Sequence, residues 1–348
     1  MTADDAPWLL RLDPADAGTV WAILDVERAA RTVDDPAAPP WSAASFRARL
    51  TLGPPHGSPG ETWFAAGTVT GSATGWYRLR LPDLENRDRA ELNLTVHPAS
   101  RRRGLGTALL RHAAGRAEAN GRAFLDTFVA EGTPGDAFAR QAGATYGQAD
   151  IRRTLDLAAI PPGRVTQVRE AAAKAAIGYS VVSWTGRTPD EHLTGVAAMF
   201  TAMNDAPARP GAEPDIWDEQ RVRDRADVPL EAMGARGYQV AALSEATGEM
   251  AALSELRVDA DQPEWGWQGN TVVARPHRGH RLGLLVKAVM LDWLAEAEPR
   301  VRKVATFNAA ANQHMIAINE ELGFEVSGPR HLEAELAVST ALHTESPG

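Results

Sequence analysis

The residues with the clearest capacity for chemistry lie at a junction between an apolar run and a helix-like run, LTVHPASRRRGLGTALL at residues 94–110. Three consecutive arginines and two glycines stand there in a chain with a formal net charge of -9. A strand that enters a turn and then a helix leaves the first N–H groups of the helix without acceptors, and the helix dipole favours an anion in front of them. Glycine lets the backbone approach a bulky phosphate. The junction predicts a diphosphate-binding turn, and the alternative is a solvated charged turn before an amphipathic helix.

Two common phosphate-binding motifs do not fit this junction. A dinucleotide fingerprint needs a third glycine or alanine three residues after Gly106, where Leu109 stands. A nucleoside triphosphate loop needs Gly-Lys followed by Ser or Thr, and Gly106 is followed by Thr107. The diphosphate must therefore belong to another class of ligand.

The junction occurs a second time, as VVARPHRGHRLGLLVK at residues 272–287. Arg101 and Gly106 correspond to Arg278 and Gly283, and both pairs are separated by 177 positions. The dipeptides Leu-Arg at 79–80 and 256–257 keep the same separation. One register held across separate segments indicates a tandem duplication of a unit of roughly 150–170 residues, which is an ordinary domain size.

Each copy has the same predicted order of elements: strand, turn, strand, strand, junction, helix, strand and short helix. The helix after the second junction has apolar residues at helical spacing, and Pro299 lies just beyond it. In the first copy Gly121 is a natural C-terminal cap. Residues 158–178 contain a Pro-Gly break and a connecting helix.

Composition excludes several classes of function. The chain has 348 residues and no cysteine, so it forms no disulfide, thiolate metal site or acyl-cysteine intermediate. Acidic residues outnumber basic ones by 45 to 36, which argues against a nucleic-acid-binding face. The sequence contains no His-Glu-x-x-His spacing, so we do not predict a metal site. The first ten residues, MTADDAPWLL, do not predict a signal peptide, and no apolar run reaches the length of a membrane span, so we expect a cytoplasmic protein without membrane contact.

The pattern Val96-x-Pro98-x-x-Arg101-x-x-Gly104-x-Gly106 resembles the acyl-CoA pyrophosphate loop of the GNAT acyltransferase superfamily, Arg/Gln-x-x-Gly-x-Gly/Ala. The segment NAAANQHMIAINEELGF at residues 308–324 is similar to the family's stretch from an asparagine to Gly-Phe. The resemblance covers nearly the whole chain as two tandem units, and it is closest to two-domain acyltransferases of the mycothiol synthase type.

This resemblance implies an α/β (α+β) chain of two tandem GNAT-fold domains, each with a mixed, mostly antiparallel central sheet flanked by helices. It implies an acyl-CoA-dependent N-acyltransferase, with acetyl-CoA as co-substrate, that acylates the amine of a small molecule by direct attack in a ternary complex. A monomer with an internal pseudo-dimer or a homodimer is expected. The alternatives are a non-catalytic CoA-binding, sensing or scaffolding protein, and a protein-lysine acetyltransferase.

The resemblance also implies which residues contact acyl-CoA. In the second copy these are Val272, Val273, Arg278, Gly279, His280, Arg281, Leu282, Gly283 and Asn312. In the first copy they are Val96, Arg101, Arg102, Arg103, Gly104, Leu105, Gly106 and Thr107. Arg281 replaces the first loop glycine, and the backbone donors survive if Arg281 adopts helical angles.

The first copy lacks the asparagine, since Gly132 stands at its position, and it has Gly143-Ala144 in place of Gly-Phe. Family analogy therefore makes residues 178–348 the catalytic domain, residues 1–157 a degenerate partner, and residues 158–177 a linker with a connecting helix.

The family's usual tyrosine, which protonates the leaving thiolate, corresponds to Asn319 in the second copy. An amide cannot act as a general acid, so water or another group must serve. The candidates for the base or its water chain are Glu255, Glu264 and Gln268, on the strands flanking the expected cleft. Glu91 aligns with Gln268 and is the candidate if the first copy is active. The alternative for each carboxylate is an exposed position on a strand.

Overall fold

The chain folds into two compact units in a computed structural model that describes residues 8–53, 60–67, 71–209 and 211–345. Unit 1 comprises Met1–Asp150 and Gly328–Gly348, and unit 2 comprises Ile151–Ser327.

The strands are numbered in chain order. They are β1 (Leu9–Arg11), β2 (Gly60–Ala66), β3 (Ala73–Arg80), β4 (Arg89–Val96), β5 (Phe124–Ala130), β6 (Thr145–Asp156), β7 (Tyr179–Thr185), β8 (Arg236–Ser244), β9 (Met250–Val258), β10 (Trp265–Val273), β11 (Lys303–Ala309) and β12 (Glu325–Ala337).

The α-helices are numbered in the same way. They are α1 (Ala17–Asp34), α2 (Ala43–Leu52), α3 (Leu105–Ala119), α4 (Pro134–Gln141), α5 (Arg164–Ala175), α6 (Leu193–Ala202), α7 (Glu219–Val222), α8 (Val228–Ala232), α9 (Leu282–Ala297), α10 (Gln313–Leu322) and α11 (Val338–Leu342). Helix α3 ends as expected, with Gly121 in the left-handed conformation at a φ of 70°.

The two units have the same sheet plan. In unit 1 the strand order is β1-β2-β3-β4-β5-β12, and in unit 2 it is β6-β11-β10-β9-β8-β7. The pairs β4–β5 and β10–β11 are parallel. The pairs β1–β2, β2–β3, β3–β4, β5–β12, β7–β8, β8–β9 and β9–β10 are antiparallel. The expected fold, a mixed and mostly antiparallel sheet with flanking helices in each unit, is confirmed.

The unit boundaries differ from the linear division at residues 157 and 178. Residues 331–337 of β12 pair with residues 124–130 of β5, so the end of the chain completes the sheet of unit 1. The second half of β6 belongs to unit 2, where β6 is the neighbour of β11. The strand that follows α4 in the chain is therefore not the strand that lies beside β5.

The expected linker is an integral part of unit 2. Its helix α5 buries Val168 and Ala172 in the same core as α9, and Arg169 forms an ion pair with Asp292 of α9 at 3.0 Å. A helix with a buried apolar face is part of a domain core rather than a spacer between domains.

Each sheet has helices on both faces. In unit 1, Tyr77 and Leu79 of β3 pack against α3, whereas Trp76 packs with α1 and α2. In unit 2, Leu256 of β9 packs against α9, whereas Leu253 packs with α6. We call these the α3 and α1 faces of unit 1 and the α9 and α6 faces of unit 2. Since side chains alternate along a strand, a shift of one residue moves a side chain to the other face.

The parallel strands of each unit pair only at one end. In unit 1 the β4–β5 ladder joins residues 89–91 to residues 124–126, and in unit 2 the β10–β11 ladder joins residues 265–267 to residues 303–305. Beyond those pairs, among the described residues, the two strands have no ladder contact with each other. We call each opening a wedge, and its narrow end the apex. The junction loop follows the strand at the open end.

Candidate functional site

Both junction loops contain two residues in the left-handed conformation, at corresponding positions. In unit 1 these are Arg102, with a φ of 60°, and Gly104, with a φ of 79°. In unit 2 they are Gly279, with a φ of 90°, and Arg281, with a φ of 54°. Each copy thus has glycine at one of the two positions and arginine at the other, and the backbone path is the same. Arg281 does not adopt the helical angles on which the survival of the backbone donors was made conditional, because this residue precedes the helix and takes the conformation of Gly104.

The two loops leave the same set of backbone donors open. Within the described residues, the N–H groups of residues 102–107 in unit 1 and of residues 279–284 in unit 2 have no hydrogen-bond acceptor. Helical bonding starts with Ala108, which donates to Gly104, and with Leu285, which donates to Arg281. No side chain caps either helix. Each loop therefore presents a run of free amides at a helix N-terminus, which is a geometry that binds phosphate oxygens.

The first arginine of the unit 1 loop braces the loop. Arg101 donates from Nε to the carbonyl of Val96 at 3.1 Å, and its two terminal nitrogens form a fork on Asp34, at the end of α1, at 2.8 and 2.6 Å. A bidentate pair of this kind fixes the guanidinium. Arg101 thus fixes the shape of the turn, whereas Arg102 and Arg103 are exposed.

Unit 2 repeats this brace. Arg278 donates from Nε to the carbonyl of Val273 at 3.3 Å and from a terminal nitrogen to Asp205 at 2.7 Å. Arg275 donates to the same carboxylate at 3.0 Å. The hydrogen bond from Arg275 and the positive charge of the two guanidinium groups lower the pKa of Asp205.

The left-handed conformation of Arg281 is testable by a matched pair of substitutions. Arg281→Gly and Arg281→Ala both remove the exposed ion pair with Glu321, but only alanine keeps a Cβ that is strained in this conformation. We expect the glycine variant to exceed the alanine variant in free energy of unfolding by about 1 kcal/mol, measured in urea. The opposite order, which is the rule inside a helix, would contradict the conformation described here.

The remaining loop residues differ in burial. His280 is exposed, and its ring lies 5.3 Å from that of Tyr179. Gly279 is exposed as well, whereas Leu105 and Gly106 are partly buried, and Thr107, Val272, Leu282 and Gly283 are buried.

Asn312 is the N-cap of α10. Its Oδ1 accepts a hydrogen bond from the backbone N–H of Met315 at 3.2 Å, and the residue is partly buried. The cap explains why an amide side chain is suitable here. In unit 1 the corresponding helix α4 is capped instead by Thr133, one residue after Gly132.

The strand that leads to the loop has a β-bulge in unit 2. On β10, Gln268 lies opposite Leu256 and Thr271 lies opposite Ser254, so two residues, Gly269 and Asn270, oppose the single residue between those partners. Neither has a ladder partner on β9 or β11. The register of β4 in unit 1 runs without interruption from Glu91 to Val96. The bulge therefore leaves backbone groups without ladder partners at the apex of the wedge in unit 2, but not in unit 1.

Glu255 lies beside this bulge. It follows Leu253 by two residues, which puts it on the α6 face of the sheet. A Cβ built on Gly269 would be 3.5 Å from the Cβ of Glu255 and 3.8 Å from its Oε2. The structure thus brings a partly buried carboxylate to the unpaired backbone of the bulge.

Because of the bulge, Gln268 does not occupy the place on β10 that Glu91 occupies on β4, although the two residues align in sequence. Because one extra residue intervenes, Gln268 lies opposite Leu256 on the α9 face, and its amide donates to Ser254 Oγ at 3.0 Å and to the carbonyl of Glu255 at 2.6 Å. It is buried. Gln268 supports the bulge and does not share the face of Glu255.

Glu264 lies away from the other candidates. It is exposed and precedes β10, where its carbonyl accepts hydrogen bonds from the backbone N–H groups of Arg302 and Lys303. The wedge opens toward Val273, at the other end of the strand. The structure therefore does not bring Glu264 to the apex region beside Glu255.

Glu91 of unit 1 forms an ion pair with Arg80 of β3. The carboxylate is partly exposed and lies at the last ladder pair before the wedge opens.

Asn319 is buried in the interior of unit 2, where it connects two other polar side chains. It accepts a hydrogen bond from Lys287 Nζ at 2.6 Å, and its Nδ2 donates to Asn308 Oδ1 at 2.6 Å. Lys287 is also buried, and burial lowers the pKa of its ammonium to about 7. Asn308 lies on β11 beyond the last ladder pair, so the chain from Lys287 ends at the border of the wedge.

Sequence analysis missed Lys287 altogether. The corresponding residue of unit 1 is Leu110, and the counterpart of Asn319 is Ala139. A lysine among the otherwise apolar residues of the α9 core is the signal that distinguishes the two copies.

Two further observations limit the chemistry of the described residues. They contain no group of three or more metal-ligating side chains placed to hold a metal ion. None of their helices combines the length and apolar character needed to span a bilayer.

Comparisons with known proteins agree with this geometry. Residues 21–144 match the model of the acetyltransferase (GNAT) family. The chain is similar to a tandem GNAT protein from the clavulanic acid biosynthesis pathway, solved without AcCoA, with 30% identity, a TM-score of 0.77, and coverage of 95% of this chain and 98% of that one.

It is also similar in fold to a GCN5-related N-acetyltransferase from Sphaerobacter thermophilus, with 17% identity, a TM-score of 0.65, and 96% of each chain covered. No curated protein matches the chain in sequence. The repeated wedge, the repeated loop and the similarity to a tandem relative along its whole length lead to one conclusion: the chain belongs to the GNAT acetyltransferase family, in its tandem form.

Proposed function

We propose that the protein is an acyl-CoA-dependent N-acyltransferase that acylates the amine of a small molecule, with acetyl-CoA as donor and unit 2 as the catalytic unit. The observation that carries the proposal is the bulge of β10, with Glu255 beside it at the apex of a wedge whose loop has free amides. Unit 1 has the loop but an unbroken β4.

The loop of unit 2 binds the diphosphate of acetyl-CoA. The amides of residues 279–284 donate to phosphate oxygens, and the brace from Arg278 to Asp205 holds them in position. The corresponding loop of unit 1 has the same free amides and binds a second CoA molecule. The family model matches unit 1, whose loop retains both glycines of the family pattern, but a loop alone holds the donor and performs no chemistry.

Acyl transfer requires that the acceptor amine lose a proton and attack the thioester carbon. Glu255 accepts the proton, directly or through a water, from the α6 face of the sheet. The new C–N bond forms, and negative charge develops on the carbonyl oxygen. The backbone N–H groups freed at Gly269 and Asn270 are close enough to Glu255 to stabilise that oxygen, as preorganised donors do in acyl transfer.

The tetrahedral intermediate then expels CoA as a thiolate. Unit 2 lacks the tyrosine that would protonate it, and the chain Lys287–Asn319–Asn308 takes its place. Each amide in such a chain is polarised by the preceding donor, so the terminal amide of Asn308 becomes a stronger hydrogen-bond donor. It stabilises the thiolate at the wedge, and water supplies the proton afterwards.

Two observations support a small-molecule acceptor. The tandem relative with 30% identity comes from the pathway that produces clavulanic acid. Glu255 is a single, partly buried carboxylate on a strand whose other residues are mostly buried, which suits one ammonium group rather than an extended polypeptide.

The test is an assay of the full chain with acetyl-CoA, a thiol-trapping reagent and a panel of small amines, with a lysine-containing peptide set alongside. Amine-dependent release of CoA is expected. Release with the peptides alone would point to protein acetylation, and CoA binding without release on either panel would point to a sensor; both results contradict the proposal.

The two loops are distinguished by matched substitutions at their second glycine. A Cβ at Gly283 would lie 3.2 Å from Ile318 and 3.3 Å from Val273, whereas at Gly106 the nearest contact is 3.6 Å. We expect Gly283→Val to raise the KM for acetyl-CoA at least about tenfold, because one tenfold change needs only 1.4 kcal/mol of lost binding, and Gly106→Val to leave turnover unchanged.

Calorimetric titration of the protein with CoA tests the same two variants. Two sites are expected in the wild type and one in each variant, with the melting temperature recorded to confirm folding. A loss of turnover on Gly106→Val, with Gly283→Val unaffected, would reassign catalysis to unit 1.

A further inference from the structure

Unit 1 contains a row of polar side chains across three neighbouring strands on its α1 face. Thr62 of β2 lies opposite Arg78 of β3, and Arg78 lies opposite Asn93 of β4. At the apex of the wedge, Glu91 of β4 pairs with Arg80 of β3. The row crosses the same two strands two residues away, at Asn93 and Arg78. We call Thr62, Arg78 and Asn93 the donor row.

Arg78 is a buried cation, and no carboxylate of the described residues pairs with it. The residue is 6% exposed, and the hydrogen bond described for it goes to the backbone carbonyl of Arg49 at 2.6 Å. Within the part of the chain that the structure describes, its Nε has no hydrogen-bond partner, and neither does the buried hydroxyl of Thr62 beside it. Burial lowers the pKa of Arg78 to about 10, and burial together with the charge of Arg78 lowers that of Arg80 to about 9.

The carboxylates on this face are already bound by other groups. Glu27 of α1 accepts hydrogen bonds from Trp76 and Thr95, and Glu91 is paired with Arg80. A buried guanidinium whose Nε–H has no acceptor is unfavourable unless an anion completes it. The row ends at Asn93, which is exposed, so solvent and ligands reach the α1 face at this strand.

The corresponding position in unit 2 has the opposite charge. Glu255 corresponds to Arg78 at the separation of 177, and its neighbour on β8 is Gln239. The duplication has thus given the two units faces of different ligand preference. A carboxylate suits an ammonium group, and a guanidinium flanked by a hydroxyl and an amide suits a carboxylate.

We propose that the donor row of unit 1 binds a ligand that carries a carboxylate group, with the guanidinium of Arg78 as its main anchor. The carboxylate accepts hydrogen bonds from Arg78 and Thr62, and the amide of Asn93 closes the site at its exposed side. This site is separate from the chemistry proposed for unit 2, and it binds its ligand whether or not acyl transfer occurs there.

The test compares two probes of nearly equal size that differ in charge, N-acetylglycine and N-acetylglycinamide, in calorimetric titrations of the full chain. The acid is expected to bind and the amide to bind at least about tenfold more weakly, as for a lost charge-assisted hydrogen bond. Arg78→Met is expected to weaken binding of the acid by a similar factor. Exposed Arg47, on α2 of the same unit, provides the matched control: Arg47→Met removes the same charge and leaves binding unchanged.

Thermal unfolding separates a ligand site from a structural role. Without ligand, Arg78→Met should unfold at the same temperature as the wild type or higher, because an apolar side chain replaces a buried cation without a counter-ion. The acid should raise the melting temperature of the wild type and not that of the variant. If Arg78→Met does not fold, Arg78→Lys, which keeps the charge but not the planar fork, should show the weakened binding.

Equal binding of the acid and the amide, or unchanged binding by the Arg78 variants, would overturn the proposal. Binding of inorganic phosphate with no binding of the acid would overturn the choice of a carboxylate. Because the readout is binding to unit 1, a negative result here leaves the amine assay on unit 2 unaffected, and the two proposals fail separately.

Discussion

Glu255→Gln is expected to lower kcat at neutral pH by about 10²–10⁴-fold, the usual contribution of a positioned general base, and to leave the KM for acetyl-CoA near its wild-type value. The carboxamide has the same shape but cannot accept the amine proton as a carboxylate does. Glu255 lies on the α6 face beside Gly269, away from the loop that holds the diphosphate. Steady-state rates of CoA release with a responsive amine measure the effect.

Two carboxylates serve as controls for this substitution. Glu91→Gln changes the acidic residue at the apex of the unit 1 wedge, which is paired with Arg80, and Glu264→Gln changes an exposed residue before β10. Neither should alter kcat by more than about twofold, since neither carboxylate lies beside the bulge where the proposed proton transfer takes place. A large loss on Glu91→Gln with none on Glu255→Gln would move the active centre to unit 1.

The sequence was sufficient to predict the fold because its strongest signals are local. The strand, loop and helix of each junction follow one another in the chain, and the 177-residue separation repeats them. The pairing of β12, near the end of the chain, with β5 could not be predicted in this way. Both β6 and β12 have the pattern of a strand that follows a short helix, and nothing local specifies that residues 331–337 rather than the first half of β6 pair with β5.

The bulge explains why alignment placed one candidate on the wrong face. Before the bulge, Trp267 lies opposite Arg257 as Glu91 lies opposite Arg80, so the two copies are offset by one residue there. After the bulge, corresponding residues of the two copies are again 177 positions apart. Because side chains alternate along a strand, this single residue carried Gln268 to the α9 face. An inserted residue of this kind leaves no mark on composition.

The loop arginines show a different limit of sequence analysis. Their place in the loop can be read from the sequence, but a guanidinium beside a phosphate loop suggests a ligand contact, and only the structure gives its protein partner. Arg101 is bound by Asp34, which lies 67 positions earlier in the chain. Such long-range pairs are set by the packing of α1 against the sheet, which no local pattern specifies.

The strongest pH dependence of stability is expected from Lys287. Burial lowers the pKa of its ammonium from 10.5 to about 7, so between these values the unfolded chain binds a proton that the folded chain does not. Stability of the wild type therefore rises with pH in this window, by up to about 1.4 kcal/mol per pH unit from this group. Below pH 7 both states are protonated, and the folded state carries the full cost of a buried charge.

Lys287→Met removes that cost. The variant is expected to have a higher free energy of unfolding than the wild type at pH 7, and the difference should shrink by about 1.4 kcal/mol for each pH unit up to pH 9. Urea unfolding at pH 7, 8 and 9 measures it. Leu110→Met, at the corresponding position of unit 1, is the control: it is a volume-conserving apolar exchange and should show no pH-dependent difference.

The same variant connects stability to catalysis. If the chain from Lys287 through Asn319 to Asn308 stabilises the leaving thiolate, Lys287→Met gains stability and loses kcat together, since a buried charge kept at a cost to folding is typical of a functional site. The loss in kcat should be smaller with a donor whose thiol is more acidic than that of CoA, because a better leaving group needs less stabilisation. If the variant is less stable at every pH by a constant amount, and its kcat is unchanged, then Lys287 only fills space in the core on the α9 face of unit 2.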